Sequence, residues 1–241
     1  MENLEKMNTA LLELCEKYGV SARGTIAVEN GEATLTCSCG KKTVLLPWRT
    51  ERRFVELKNM LGNGTLEDLS TLRFCSVRHG GCLEQQTAKE FDLAVFFTGS
   101  PVKSVFAVAG SEKNSAVNII AKLANDVSVS IECSAKLPEN AEEIDRHELI
   151  AARGVASDRT VDTQIPQSSV YVFSEKGEER YTDTDTELFG FGADEILTIR
   201  AAFAVLSNPA LSDEWNAAAE AMKRCACAAA ESDAQKKVIC L

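Results

Sequence analysis

The sequence predicts an α+β fold in which a sheet carries its helices on one face. Short runs typical of β-strands fill much of the middle of the chain, and helical patterns begin and end it. Strands and helices do not alternate regularly as they do in parallel α/β proteins. With 241 residues, of which 45% are hydrophobic, the chain can bury the core of one large domain or two modest ones.

The first third of the chain predicts a helix, a small β-meander and a second helix. Apolar residues recur at steps of three and four from Leu4, which predicts a helix that ends near Gly19. Turn signals at Asn30-Gly31 and at Gly40 then separate three short strand patterns. The predicted strands are 25–29, 33–39 and 43–46, and the second helix is 52–61.

Most of the predicted sheet lies further along. Residues 127–133 alternate strictly and predict a half-buried strand, with its apolar residues on one face: Val127, Val129, Ile131 and Cys133. The other predicted elements are strands 69–77, 102–109 and 170–173, helix 88–97, and helices 194–206 and 213–231 with N-caps Asp194 and Ser212.

Charge and hydropathy exclude several classes of partner. The chain has 26 Lys and Arg against 36 Asp and Glu, a net charge of −10, and its basic clusters are short, so we expect no nucleic-acid binding. No apolar run approaches the roughly 20 residues that cross a bilayer, and the N-terminus carries acids where a signal peptide is basic and then apolar. An odd number of cysteines, nine, suits a reducing compartment. We therefore expect a cytoplasmic protein with no membrane partner.

Nucleotide-binding motifs are missing from the sequence. A GxGxxG loop between a strand and a helix would let the backbone approach a pyrophosphate, and GxxxxGK[ST] would cradle phosphates. Gly190-Phe191-Gly192 is followed by Ala193 and Asp194, which predicts a turn instead of a phosphate loop.

Cysteine and histidine spacing does not favour a metal centre. Cys37, Cys39, Cys75, His79 and Cys82 include the ligand types of a zinc site, but their spacing is unlike paired CxxC motifs. We expect buried free thiols and no metal.

We also expect no chemical role for the two histidines and for the acidic residues between 183 and 187. His79 precedes two glycines in a predicted loop, and His147 lies within 146–150; each is expected to be solvated or structural. The alternating acids Asp183, Asp185 and Glu187 are expected to form a solvated face.

Four segments, taken in their order along the chain, match the sequence pattern of a known domain. They are 54–61 followed by Gly64-Thr65-Leu66; Gly80-Gly81 leading to Asp92 and Gly99-Ser100-Pro101-Val102; His147-Glu148-Leu149-Ile150 with Gly154; and Phe189-Gly190-Phe191-Gly192 with Glu195, Arg200 and Trp215. Together they resemble the C-terminal domain of the Gfo/Idh/MocA oxidoreductases over residues 48–241. The resemblance implies a large, open, mostly antiparallel but mixed sheet with helices on one face. Residues 1–47, the N-terminal helix and small β-meander, would then be a remnant of the family's Rossmann-side region.

The same resemblance exposes departures from the family pattern. The chain begins where the family's Glu-Lys-Pro motif would have ended, so we expect the dinucleotide-binding units, the catalytic lysine and a bound cofactor to be absent. The family places a catalytic histidine three residues before the aspartate matched by Asp92, and an acidic partner four residues before that histidine. Lys89 and Gln85 stand there, and a shift of one residue would bring Glu84 into the acidic position.

Three functions stay open at this point. The first is a non-catalytic binding or assembly module that forms a homodimer or higher homo-oligomer through the open face of its sheet. The second is the substrate-binding subunit of an NAD(P)-dependent sugar or polyol oxidoreductase, completed by a separate Rossmann-domain chain. Its candidate residues are Lys89, Gln85 and Glu84 at the catalytic positions and Arg78, His79, Glu84 and Lys89 for substrate. The third is a module that binds a sugar-like ligand, with Trp48 either stacking on the sugar or packed in the core.

Overall fold

The computed structural model describes residues 2–29, 31–110, 115–152, 154–158, 170–174, 177–181 and 185–241. Its helices are α1 (Glu2–Lys17), α2 (Arg52–Gly62), α3 (Leu83–Thr98), α4 (Ala193–Ser207) and α5 (Leu211–Gln235). Its strands are β1 (Gly24–Glu29), β2 (Glu32–Cys37), β3 (Lys42–Val44), β4 (Leu69–Val77), β5 (Val102–Ala109), β6 (Ala116–Leu123), β7 (Ser128–Ser134), β8 (Ile144–Ala151), β9 (Gly154–Ser157), β10 (Val170–Ser174), β11 (Gly177–Tyr181) and β12 (Ile239–Cys240). Across these residues, no helix combines the length and the apolar character that a membrane span requires.

Residues 1–51 and 160–217 form one compact unit. Its three-stranded sheet is an antiparallel meander in the order β1-β2-β3, and α1 and α4 pack on it. Strands β10 and β11 pair as an antiparallel hairpin. The fully buried side chains of this core include Leu11, Leu14, Ile26, Leu35 and Ile199.

Both predicted N-caps lie inside their helices. Helix α4 begins one residue before Asp194, and the Glu195 carboxylate accepts the Gly192 backbone N–H at 2.8 Å. Ser212 lies within α5, and its hydroxyl is 2.5 Å from that of Thr43. The Ser212 side chain therefore ties α5 to β3 instead of capping the helix.

Residues 52–159 and 218–241 form the second compact unit. Its seven-stranded sheet has the order β12-β5-β6-β7-β4-β8-β9, and every pairing is antiparallel except β4 with β7. Helix α3 crosses over between β4 and β5, so β5 runs in the same direction as β4. Strand β7 has the direction of β5, because both are antiparallel to β6, and it therefore pairs with β4 in parallel. The predicted α+β fold with an open, mostly antiparallel mixed sheet is confirmed.

The two faces of the seven-stranded sheet differ in burial. The predicted alternation in β7 is confirmed, because Val129, Ile131 and Cys133 are buried while Glu132 is exposed. Helix α3 packs against β4 and β7 on the buried face, and α2 packs against α3. The face toward the helices carries a continuous set of buried residues: Val105, Ala107, Val117, Ile119, Ala121, Leu72, Phe74, His147 and Leu149.

The outer edge of β5 is covered over most of its length. Strand β12 pairs with β5 at Val105 and Ser104. Beyond β12, the Ala107 backbone N–H donates to the Ser232 hydroxyl at 3.0 Å, and the Ala109 N–H donates to the Asp233 carboxylate at 2.8 Å. The end of α5 thereby satisfies backbone donors that an edge strand would otherwise expose.

Two sequence expectations about side chains are wrong. Of the thiols expected to be buried, Cys39 and Cys82 are exposed and Cys37 is half-buried; Cys75 is buried as expected.

In the acidic run, Asp183 lies outside the described residues, and Asp185 is buried instead of solvated. The Asp185 carboxylate accepts hydrogen bonds from Lys17 and Tyr18, each at 2.7 Å, and from Arg200. Burial disfavours its charge, but these three donors prevail and lower the pKa of Asp185 to about 2.

We expect Asp185 to make the first unit sensitive to acid. Its folded pKa of about 2 lies below the unfolded value, so its contribution is present above about pH 4 and is lost as the pH falls toward about 2. The free energy of unfolding should drop by about 2 kcal/mol over that interval through this group alone. Urea unfolding of the wild type and of Asp185→Asn, measured at several pH values, should give a shallower acid dependence for the variant. Asp213→Asn removes an exposed carboxylate from the same unit and should keep the wild-type slope; an Asp185→Asn slope equal to it would contradict the prediction.

Candidate functional site

A cluster of charged side chains lies where β8 faces α2 and α3. Strand β8 alternates, so His147 and Leu149 are fully buried toward the helices. Asp145 belongs to the same face, with its side chain 20% exposed. Helix α3 contributes Lys89 and Glu90, and α2 contributes Arg53.

His147 bridges two buried carboxylates. Its Nδ1 is 2.7 Å from Asp158 Oδ2, and its Nε2 is 2.8 Å from Glu90 Oε2. Asp158 also accepts the His147 backbone N–H at 2.7 Å. Burial opposes a charged imidazole, but the bonds to Asp158 and Glu90 prevail and raise the pKa of His147 to about 9. At neutral pH the ring is therefore an imidazolium that donates from both nitrogens.

Aromatic rings enclose this imidazolium. Phe54 of α2 lies edge-on to it at 4.7 Å between ring centroids, and Phe74 of β4 lies at 5.0 Å. These rings keep water from the two faces they cover, which strengthens the polar contacts of His147 with its carboxylate partners.

Three cations converge on one oxygen of Asp145. Arg53 Nη2 is 2.5 Å from Asp145 Oδ2, Lys89 Nζ is 3.5 Å from it and Arg78 Nη2 is 3.6 Å from it. Burial disfavours the charged carboxylate, but Lys89 and Arg53 outweigh this and lower the pKa of Asp145 to about 2. Arg53 also donates to Asp158 at 2.9 Å and so joins the two halves of the cluster.

Two carboxylate oxygens of the cluster have no hydrogen-bond donor among the described residues. They are Glu90 Oε1 and Asp145 Oδ1, and both are buried. Lys89 Nζ is 3.9 Å from Glu90 Oε1, and His147 Nε2 is 3.9 Å from Asp145 Oδ1. Both distances exceed those of hydrogen bonds. The cluster therefore retains acceptor capacity that its own cations do not use.

The structure brings together only some of the residues proposed from the sequence. Lys89 lies inside the cluster and Arg78 at its margin. Glu84 and Gln85 are exposed on the first turn of α3, and His79 is exposed with its backbone N–H donating to Glu143 at 3.1 Å. Trp48 is half-buried in the turn Pro47–Thr50 of the first unit.

Sequence reasoning did not single out Arg53, Glu90, Asp145 or Asp158, and it expected His147 to be solvated or structural. One signal was available for Glu90, because Thr87, Leu93 and Ala94 share its helix face and all are buried. Alternation with Leu149 likewise placed His147 on an apolar face of β8.

Comparison with solved structures gives a consistent result. The chain matches a myo-inositol 2-dehydrogenase from Lactobacillus plantarum with a TM-score of 0.57 and 13% sequence identity, over 81% of this chain. It matches a myo-inositol dehydrogenase from Corynebacterium glutamicum at 0.56 and 14%, also over 81%. A third match is a scyllo-inositol dehydrogenase from Lactobacillus casei with bound NAD(H) and scyllo-inositol, at 0.55 and 16%, over 80%.

The chain has their fold. This confirms the resemblance to the Gfo/Idh/MocA oxidoreductases predicted from the sequence. The match spans 63% of the length of each of these three dehydrogenases. No protein-family model and no curated protein matches the chain.

We expect Glu90→Gln to destabilise the protein by about 3 kcal/mol, the usual cost of breaking a buried ion pair. Glutamine keeps the shape and can still accept one hydrogen bond, so the loss reports the missing charge beside His147. Glu84→Gln makes the same change at an exposed position of α3 and should alter the free energy of unfolding by less than about 0.5 kcal/mol. Urea denaturation of the three proteins near neutral pH measures both effects. Equal stabilities for the two variants would contradict an ionic contact at His147.

Proposed function

We propose that the chain is a non-catalytic assembly module that forms a homodimer through the outer face of its seven-stranded sheet. The observation that carries this proposal is an exposed apolar patch on β5 and β6, formed by Phe106, Val108 and Ile120. Phe106 and Ile120 are direct cross-strand partners, and Val108 follows on the same face of β5. Their exposed fractions are 36%, 47% and 58%. Apolar side chains grouped on one sheet face favour association.

The charges beside the patch support a self-complementary interface. Arg73 of β4 pairs with Glu148 of β8, and Glu132 of β7 is exposed on the same outer face. A two-fold dimer places the same surface on both partners, so any charges in that surface are complementary only if both signs are present. The outer face meets this condition next to its apolar patch.

The contacts of Lys89 support the non-catalytic part of the proposal. A general base must reach the substrate hydroxyl and accept its proton. Lys89 Nζ lies between two carboxylates, 3.5 Å from Asp145 and 3.9 Å from Glu90, and its side chain is only 15% exposed. Gln85, at the family's acidic position, carries a neutral amide, which does not ionise at physiological pH and so cannot replace a carboxylate as a general acid or base.

We further propose a cytoplasmic location, because all nine cysteines are free. Free thiols persist in reducing compartments and are oxidised readily outside them.

Dimerisation is tested by charging the patch. Sedimentation velocity of the wild type should give a dimer at micromolar concentration, and Ile120→Lys should give a monomer with an unchanged circular dichroism spectrum. Val28→Lys is the matched control, since Val28 is 57% exposed on β1 of the other unit, and it should remain dimeric. A monomeric wild type, or a dimeric Ile120→Lys, would refute the proposed interface.

A second function is favoured by the match to the Lactobacillus casei enzyme, which holds NAD(H) and scyllo-inositol. In that alternative the chain is the substrate-binding part of an NAD(P)-dependent sugar or polyol oxidoreductase, and a Rossmann-domain partner supplies the cofactor site. The charged groups of Lys89 and Arg78 would face the polyol.

The two functions differ in their response to inositol, because the alternative assigns the NADH site to the partner chain. For the assembly module, isothermal titration of the isolated chain with inositol should show no heat beyond dilution. Saturable binding of inositol would instead support the oxidoreductase or the sugar-binding alternative. Titration with NADH should leave the nucleotide fluorescence unchanged up to about 1 mM, a concentration that would reveal even weak affinity, and saturable binding of NADH by the isolated chain would contradict the assembly module.

A further inference from the structure

We propose that Glu90, Asp145 and His147 form a binding site for a divalent transition-metal ion. Each residue offers one ligand atom, and these atoms lie within 4.8 Å of one another. A small inward movement would bring them to the separations expected around an ion bound at about 2.0 to 2.2 Å. This inference goes beyond the proposed assembly function and does not depend on it.

The unused carboxylate oxygens are the first argument. Glu90 is fully buried, and its Oε1 accepts no hydrogen bond among the described residues. Asp145 Oδ1, on β8, is also buried and accepts no hydrogen bond among the described residues. A buried oxygen that has lost its water without gaining a donor costs free energy. A cation between these two oxygens would remove that cost.

The contacts around the three ligands are the second argument. Metal-bound histidines usually donate their other ring nitrogen to a carboxylate, which fixes the ring and its tautomer. His147 has this arrangement, because its Nδ1 is 2.7 Å from Asp158 while its Nε2 faces Glu90. Arg53 holds Asp145 Oδ2 and leaves Oδ1 free to bind.

The donor types indicate the class of ion. One imidazole nitrogen and two carboxylate oxygens suit zinc, cobalt, iron or manganese, whereas magnesium and calcium prefer oxygen donors alone. When the ion binds, it replaces the proton between His147 Nε2 and Glu90, and that proton leaves to solvent. Three protein ligands leave further coordination positions for water.

The neighbouring cations lower the affinity of the site for a metal ion. Lys89 Nζ lies 3.9 Å from Glu90 Oε1 and 3.5 Å from Asp145, so its ammonium competes for the same oxygens. Arg53 and Arg78 contact the other oxygen of Asp145. Removing the Lys89 charge should therefore strengthen metal binding, because repulsion between two cations at this range is substantial inside a protein.

The experiment is a titration of the metal-free protein with Co²⁺, followed by visible absorption and calorimetry. We expect one ion per chain, with the bands of cobalt bound by oxygen and nitrogen and without the near-ultraviolet band of cobalt bound to thiolate. Lys89→Met should bind at least about tenfold more tightly than the wild type. Lys103→Met removes an exposed lysine of β5 and should bind as the wild type does.

Loss-of-binding variants complete the test. Glu90→Gln and Asp145→Asn should each weaken Co²⁺ binding at least about tenfold; Asp145 is the less buried of the two. Circular dichroism identifies any variant that has not folded, and the gain in Lys89→Met does not depend on those variants. The proposal is overturned if neither the wild type nor Lys89→Met binds Co²⁺ at millimolar concentration. It is also overturned if folded Glu90→Gln and Asp145→Asn bind as tightly as the wild type, or if the spectrum is that of thiolate ligation.

Discussion

The second unit depends on a single buried positive charge, the His147 imidazolium, and on the two carboxylates that hold it. An uncompensated imidazolium at this depth would cost several kcal/mol or lose its proton, so Glu90 and Asp158 are what keep the ring charged. These contacts join three parts of the chain: β8, α3 and Asp158, the residue directly after β9. Arg53 adds α2 to the same network through Asp158 and Asp145.

Many individual helices and strands could be predicted from the sequence because their signals are local. Strict alternation at 127–133, the turn at Gly40 and the helical spacing after Pro47 depend only on neighbouring residues. Strands β6, β8 and β9 were not predicted from their own alternation. The hydrophobic pattern predicted a helix only over 88–97, the C-terminal part of α3. The overall architecture was predicted from the order of the family-like segments. Local patterns do not specify which distant strands pair with one another.

The candidate site could be predicted only in part, and for a physical reason. Glu90 and His147 are 57 residues apart and meet because Phe74 of β4 pairs with His147 in the sheet while α3 packs over that strand. Sequence spacing does not encode such a register. Charged residues usually face water, so Asp185 was expected to be solvated. In the structure it is buried in the first unit and accepts hydrogen bonds from three donors. Lys89 was found because the family resemblance marks its position, and its neighbour Glu90, which faces inward, was not.

The covering of β5 by the end of α5 limits how copies of this chain can add to one another. An open edge strand recruits a further strand, which exposes a new edge, so growth continues without end. Here Ser232 and Asp233 already occupy the backbone donors of Ala107 and Ala109. At Ala107 and Ala109, this edge of the sheet therefore has no free backbone donor to offer a strand of another molecule.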